Sequence, residues 1–273
     1  MMTSINTNVG ALNARASAVR ATNKMEQAME RLSSGLRVNS ASDDAAGLAV
    51  AGKMESQLRG INMSIRNAQD GVGLIQTAES GVNEIRNMVL RMRELAVQMA
   101  NGIYEDTPDR NNAQLEVTAL INQVTLIAEN TRFNDVALLD GSFTTVNIQA
   151  GNTTAETIEL SFVDMASSGL SINAVTIATQ SGATAAMGTL DSALETIASE
   201  QATMGSLINR LNFSISNQSK ASVMTEQAVG RIMDSDFATE TTNLSKQQIL
   251  NQAATSMLAQ ANQSKQSILA LLQ

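Results

Sequence analysis

The stretch Met54–Ala96, MESQLRGINMSIRNAQDGVGLIQTAESGVNEIRNMVLRMRELA, decides the fold. Apolar residues return at steps of four and three: Met54, Leu58, Ile61, Ile65, Ala68, Val72 and Ile75, then after a three-residue stutter Ala78, Val82, Ile85, Val89, Met92 and Ala96. This is the period of a helix with a coiled-coil seam, not the two-residue alternation of a strand. Extended upstream to a break at Asn39–Asp44 and downstream to Ala100, it predicts one helix of about fifty-five residues, about 80 Å long at 1.5 Å per residue. Such a length implies a rod.

Cap chemistry brackets the rod. Ser40 and Ser42 are expected to cap it, with Asp43 and Asp44 in the first turn where the helix dipole favours acids. Asn101-Gly102 stops it. Thr107 is then the expected N-cap of a second helix, with Pro108, the single proline of the chain, at its first position. Ala113, Val117, Leu120, Val124 and Ile127 stripe that helix to near Asn130, and the short connection predicts an antiparallel return. Val146 and Ile148, a Gly151-Asn152 turn, and Ile158, Leu160 and Phe162 alternate as a β-hairpin. Ser167–Gly188 reads as a low-complexity connection. Leu190, Leu194, Ile197, Gln201, Met204, Ile208, Leu211 and Ile215 then complete a three-helix antiparallel body. Gly230–Phe237 breaks the pattern, and a terminal helix is expected from about Ser245.

Both ends carry a heptad stripe of their own. Leu250, Ala254, Met257, Ala261, Ser264, Ile268 and Leu271 form one; Ile5, Val9, Leu12, Ala16 and Val19 form the other, continued after a slip of register by Met25, Met29, Leu32 and Leu36. One isolated helix cannot bury such a stripe, so these arms should be helical only against another helix or another subunit. The order arm, rod, hairpin, rod, arm brings the arms to the same end. The fold class is therefore mainly α: a long antiparallel coiled-coil bundle with a small β-hairpin region and paired terminal helices.

Composition narrows the chemistry. The 273 residues include no His, Cys or Trp and only six aromatics, so the core must be aliphatic and Met-rich, which suits thin bundles. Without His and Cys, Ser-His-Asp and Cys-His catalysis, zinc sites of the usual kind, haem ligation and disulfides are excluded. No spaced carboxylate cluster stands out, so no catalytic, cofactor or metal site is assigned. The net charge of −8 is uneven: residues 134–236 hold three basic against eleven acidic side chains, while residues 1–40 hold five basic against two acidic. An acidic body argues against nucleic acid, and the basic arm reads as a solvated helix face. No run reaches transmembrane length, and Met1–Ala21 has no apolar block of a secretory signal. Periodicity alone leaves a coiled-coil adaptor or tether open.

The run RLSSGLRVNSASDDAAGLA (Arg31–Ala49) resembles the N-terminal conserved region of bacterial flagellin. So do SINTN (Ser4–Asn8), RELAVQ (Arg93–Gln98), TRFN (Thr131–Asn134) and LALLQ (Leu269–Gln273), in order through nearly the whole chain. Ser42 departs from the Lys of many members. The resemblance implies that the arms, residues 1–42 and 233–273, form an inner helical layer called D0. Residues 43–166 and 189–232 would form the next layer, D1. Residues 167–188 would be a short connection in place of outer domains, giving a minimal flagellin.

The same resemblance implies a structural, non-enzymatic subunit that polymerises into the motility filament by coupled folding of its arms, exported by the flagellar type III route to the extracellular flagellum. Its implied partners are other subunits, hook–filament junction and cap proteins, and an export chaperone on the C-terminal arm, without nucleic acid or membrane insertion. The arm residues expected to carry polymerisation are Ile5, Val9, Leu12, Leu32, Leu250, Met257, Ile268, Leu271 and Leu272. By the same resemblance Arg91, Leu95 and Glu116 match a helix surface read by the vertebrate innate receptor TLR5. Leu269, Leu271 and Leu272 match leucines read by cytosolic inflammasome receptors, though their first role is packing.

Overall fold

The computed structural model describes residues 7–143 and 145–270, with backbone alone at 268–270. Among the described residues five α-helices are joined in the order α1 (Val9–Ser34), α2 (Ala45–Met99), α3 (Asn111–Asn130), α4 (Gln180–Met233) and α5 (Phe237–Ala270), with a single π-helical turn at Asp106–Arg110 before α3. Between α3 and α4 lie two small antiparallel sheets, β1 (Arg132–Phe133) with β2 (Val136–Ala137), and β3 (Val146–Gln149) with β4 (Thr157–Leu160). The chain forms two compact units, one from Gln57–Val223 and one from the two ends, Met1–Ser56 with Met224–Gln273.

In the Gln57–Val223 unit the expected seam is the core. Ile75, Val82, Ile85, Val89 and Met92 of α2 are fully buried with Val117 and Val124 of α3 and Leu190, Ile197, Met204 and Leu211 of α4. Polar pairs at the edge fix the register of α4 against α2: Arg93 meets Asp191, Asn83 meets Gln201 and Asn62 meets Ser222, equal steps in opposite senses. The helices are thus antiparallel without slippage over most of their shared length. A Cβ on Gly81 would lie 2.6 Å from Thr131 Oγ1 and 2.9 Å from Leu139 Cδ1, so a glycine there lets the end of α3 seat against α2.

The expected hairpin strands pair with Val146 opposite Leu160 and Ile148 opposite Ile158, and the connection is longer than the expected Gly151-Asn152 turn, running from Ala150 to Glu156. Phe162 lies past the strand, buried, its ring 5.8 Å from that of Phe143. The β1–β2 hairpin was not expected; Asn134 and Asp135 make its turn at φ 50° and 64°, which suits these two residue types. Two boundaries also move. The Ser167–Gly188 connection is not loose: Leu170, Ile172, Val175 and Ile177 are buried, and α4 already begins at Gln180, where Thr179 Oγ1 accepts from the Gly182 N–H. The small buried residues Ala183 and Ala186 extend the seam where bulk hydrophobicity does not show it. Thr107 has extended backbone (φ −136°, ψ 121°), but its hydroxyl takes the side-chain amide of Asn111, and α3 proper begins at Asn111.

The unit of the two ends is built on an antiparallel pair. Asn8 caps α1 through Oδ1 to the Ala11 N–H, and its Nδ2 donates to the Ala261 carbonyl of α5. Further along, Asn251 Nδ2 donates to Thr22 Oγ1 and Arg31 pairs with Glu240 at 3.1 Å. Helix α5 starts at Phe237, eight residues before the expected Ser245, because Asp236 accepts from the Ala238 and Thr239 N–H groups.

Candidate functional site

The loop that carries the flagellin-like run is a junction. Gly35, at φ 74°, ends α1 in the left-handed conformation, and its carbonyl accepts from the Ser235 N–H. Leu36 bridges to Asp234, the Arg37 N–H donates to the Met233 carbonyl, and the Arg37 guanidinium donates to the Ile232 carbonyl. Arg37 therefore closes the C-terminus of α4, where orphan carbonyls and the dipole both favour a cation. Asp43 takes the Ser40 N–H and hydroxyl, the Gln27 side-chain amide and the Asn39 N–H, which hold its carboxyl below the usual range. The cap of α2 is Asp44, whose Oδ1 accepts from the Gly47 N–H at 2.8 Å. Ser40 and Ser42, expected as caps, instead bond each other inside the turn. The motif thus joins the arm to α2 while stitching it to the α4–α5 break.

The arm pair has two faces of different chemistry. Facing α5, α1 presents Ala11, Ala14, Ala18, Ala21, Met25, Ala28 and Leu32, which are buried or half-buried. From α5, Leu244, Asn251, Ala254, Leu258 and Ala261 answer at the same spacing. Alanine lets the helices approach closely but buries little. The larger residues of the predicted stripes point elsewhere: Leu12 is 56% exposed, Leu250 45% and Met257 63%, with Val9, Val19, Met29, Phe237 and Ile249 also exposed. Between the helices Gly10, Ala14, Leu250, Ala254, Met257 and Ala261 line an open apolar groove of about 570 Å³.

Two apolar seams therefore run along each arm, one used within the chain and one left uncovered. Of the expected polymerisation residues, Val9, Leu12, Leu250 and Met257 belong to the uncovered seam and Leu32 to the covered one. Ile5, Leu271 and Leu272, and the side chains of Ile268 and Leu269, lie outside the described residues.

Arg91, Leu95 and Glu116 divide differently from the expectation. Arg91 Nε donates to Glu116 at 2.9 Å and its NH1 to Glu94 at 3.2 Å, which raises the Arg91 pKa. Leu95 is only 4% exposed and belongs to the core. It is not a surface residue: one turn along α2 from the exposed Arg91, it lies in the core cluster of the helical body.

Arg110 was missed from the sequence. It is 4% exposed and clamps the end of α2, donating from Nε to the Met99 carbonyl, from NH2 to the Asn101 carbonyl and from NH1 to Asp106. Its distance from Met99 in sequence, across an irregular turn, hides the role. Glu200 is 5% exposed with Oε1 unpartnered; burial pushes its carboxyl up, opposed by the Val163 N–H. Among the described residues no group of acidic, His or Cys side chains could hold a metal, and no helix is long and apolar enough to cross a membrane.

Comparison with known proteins gives this arrangement its context. Residues 5–144 match the bacterial flagellin N-terminal helical region and residues 187–272 the bacterial flagellin C-terminal helical region. A flagellin of Halalkalibacterium halodurans is 40% identical over 98% of this chain and 99% of its own length, and one of Bacillus subtilis 36% over the same shares. The crystal structure of Bacillus cereus flagellin superposes with a TM-score of 0.51 at 30% identity, covering 56% of this chain and 88% of that one. A paired-arm unit, an antiparallel helical body, and matches to both conserved regions in one chain make it a member of the bacterial flagellin family, a structural subunit that self-assembles into the extracellular flagellar filament for motility.

Proposed function

We propose that the uncovered apolar seam of the α1–α5 pair is the surface through which copies of this chain associate in the filament, and that full ordering of the arms is coupled to that contact. The observation that carries it is the half-exposure of Leu12, Leu250 and Met257 beside an intramolecular contact made largely by alanine. Apolar burial in the polymer offsets the ordering cost of the arms. Repeating one heterologous contact with a rotation that does not close gives a helical polymer. Residues 1–42 and 233–273 are then the inner layer. The body of 43–166 and 189–232 is the next, and 167–188 stands in place of outer domains.

Removing residues 233–273 tests the reading. The remaining chain should keep the cooperative melting of its helical body yet fail to extend filament seeds; seeded filaments from the truncated chain would refute it.

The family resemblance supports the finer partners: secretion through the flagellar type III route, a chaperone on the C-terminal arm, and junction and cap proteins at the filament ends. It also supports a structural rather than catalytic role. For a host receptor such as TLR5, the exposed Arg91–Glu116 pair is the available contact and the buried Leu95 is not. Equal receptor activation by monomeric protein and an Arg91→Ala variant would count against that surface.

A further inference from the structure

The exposed link after α2 contains the only Asn-Gly step in the chain, Asn101-Gly102. Three contacts bear on its chemistry. The Ile103 N–H donates to Asn101 Oδ1 at 3.3 Å, folding the side-chain amide back over the intervening peptide. The Gly102 N–H has no acceptor among the described residues, so it is free to react. The carbonyl of that same peptide, Asn101 O, accepts from the buried Arg110 guanidinium at 2.9 Å.

We infer that Asn101-Gly102 is a self-modifying site that loses its side-chain amide spontaneously, with Arg110 as the activating residue. In the first step the Gly102 nitrogen gives up its proton and attacks Asn101 Cγ. The new N–Cγ bond forms, ammonia leaves carrying the proton, and a cyclic imide remains. Water then opens the ring, at Cγ to give aspartate or at the α-carbonyl to give isoaspartate. The balance is one water consumed and one ammonia released, with no oxidant or reductant.

Both charge developments are met by groups already in place. Deprotonating the Gly102 nitrogen shifts negative charge onto Asn101 O, where the guanidinium stands, and attack at Cγ shifts it onto Oδ1, where the Ile103 N–H points. Arg110 is held by two further acceptors, the Met99 carbonyl and Asp106, so it needs no reorganisation at the moment of reaction. When the ring opens to isoaspartate, the carbonyl that faced Arg110 becomes a free carboxylate. The guanidinium then neutralises a charge that the C-terminus of α2 would otherwise repel.

The test is to hold full-length monomer under mildly alkaline conditions and follow residue 101 by peptide mass mapping and isoaspartyl methyltransferase labelling. The free peptide Met99–Glu105 is the reference. Residue 101 in the folded protein should convert about tenfold faster than in the peptide, the gain expected of one charge-assisted hydrogen bond. Gly102→Ala, which meets only the flexible Gln180 amide at 3.3 Å, should suppress it. Arg110→Met should slow conversion and Arg110→Lys partly restore it. A merely structural role predicts the reverse, since loosening the turn would speed the reaction. Conversion in the folded protein no faster than in the peptide, or faster in Arg110→Met, would overturn the inference; the peptide comparison decides even if the Arg110 variants do not fold.

Discussion

Truncating Leu12, Leu250 and Met257 to alanine removes the uncovered seam without touching the covered one. Fully burying a Leu or Met side chain stabilises by about 1.5–3 kcal/mol, and roughly half of each residue is still exposed, so each has about 1 kcal/mol left to gain on association. Alanine forfeits most of that, giving a total near 3 kcal/mol per subunit. At about 1.4 kcal/mol per tenfold, the critical concentration for seeded growth should rise about a hundredfold. The monomer should change little: Leu12 lies outside the groove between α1 and α5, Leu250 and Met257 line that groove while staying half-exposed, and alanine is the best helix former. Its melting should stay within about 0.5 kcal/mol of the parent. The critical concentration is read as the protein left in the supernatant after filaments are pelleted at steady state. A value within about twofold of the parent, with the arms still helical, would refute the assignment of this seam to the filament contact.

Arg110→Met should cost about 2–4 kcal/mol in denaturant unfolding, because it strands the buried Met99 carbonyl at the end of α2, removes the charged donor to the Asn101 carbonyl and breaks the pair with Asp106. An unchanged midpoint would show that water replaces the clamp. Glu200 gives a pH signature. Its folded pKa is raised above the ordinary 4.5 by burial, so its contribution is fully present below that value and is lost as pH rises through the folded pKa. Monomer stability should therefore grow on mild acidification from neutral pH, and Glu200→Gln should raise stability at neutral pH and flatten that slope in thermal melts. Asp191, lowered by its hydrogen bond to Arg93, and Asp236, lowered by Thr239, act oppositely and should turn the curve down at lower pH, as they lose charge through their folded pKa values. Gly81→Val should destabilise the body by about 1–3 kcal/mol, since its side chain would enter the space of Thr131 and Leu139.

The body was legible because its information is periodic and local. From Ile75 to Ala96 each residue of the α2 stripe is buried, and alternation marked Val146 and Ile148, and Ile158 and Leu160, as the strands that the fold pairs. Arg37 and Arg110 were not legible, since each satisfies carbonyls that only the folded chain brings near. Leu95 and the arms show a subtler limit. A heptad tells which residues share a face, not what covers it. The stripe of Leu12 and Met257 has the same period as the stripe of Ala21 and Ala254, and hydrophobicity ranks the first above the second. Yet the chain pairs its arms through the alanines, where the helices approach most closely, and leaves the bulkier seam uncovered. That inversion has a physical use. If the exposed seam is the filament contact, an arm pair joined mainly through alanines gains further apolar burial from another copy, and part of the free energy of ordering is then drawn from polymerisation. Moving the bulk inward, by Ala14→Leu into the open groove with Leu12→Ala, should therefore stiffen the free arms, lowering their amide hydrogen exchange, while weakening filament growth. Growth that instead strengthened with arm order would mean that the covered seam, not the exposed one, limits assembly.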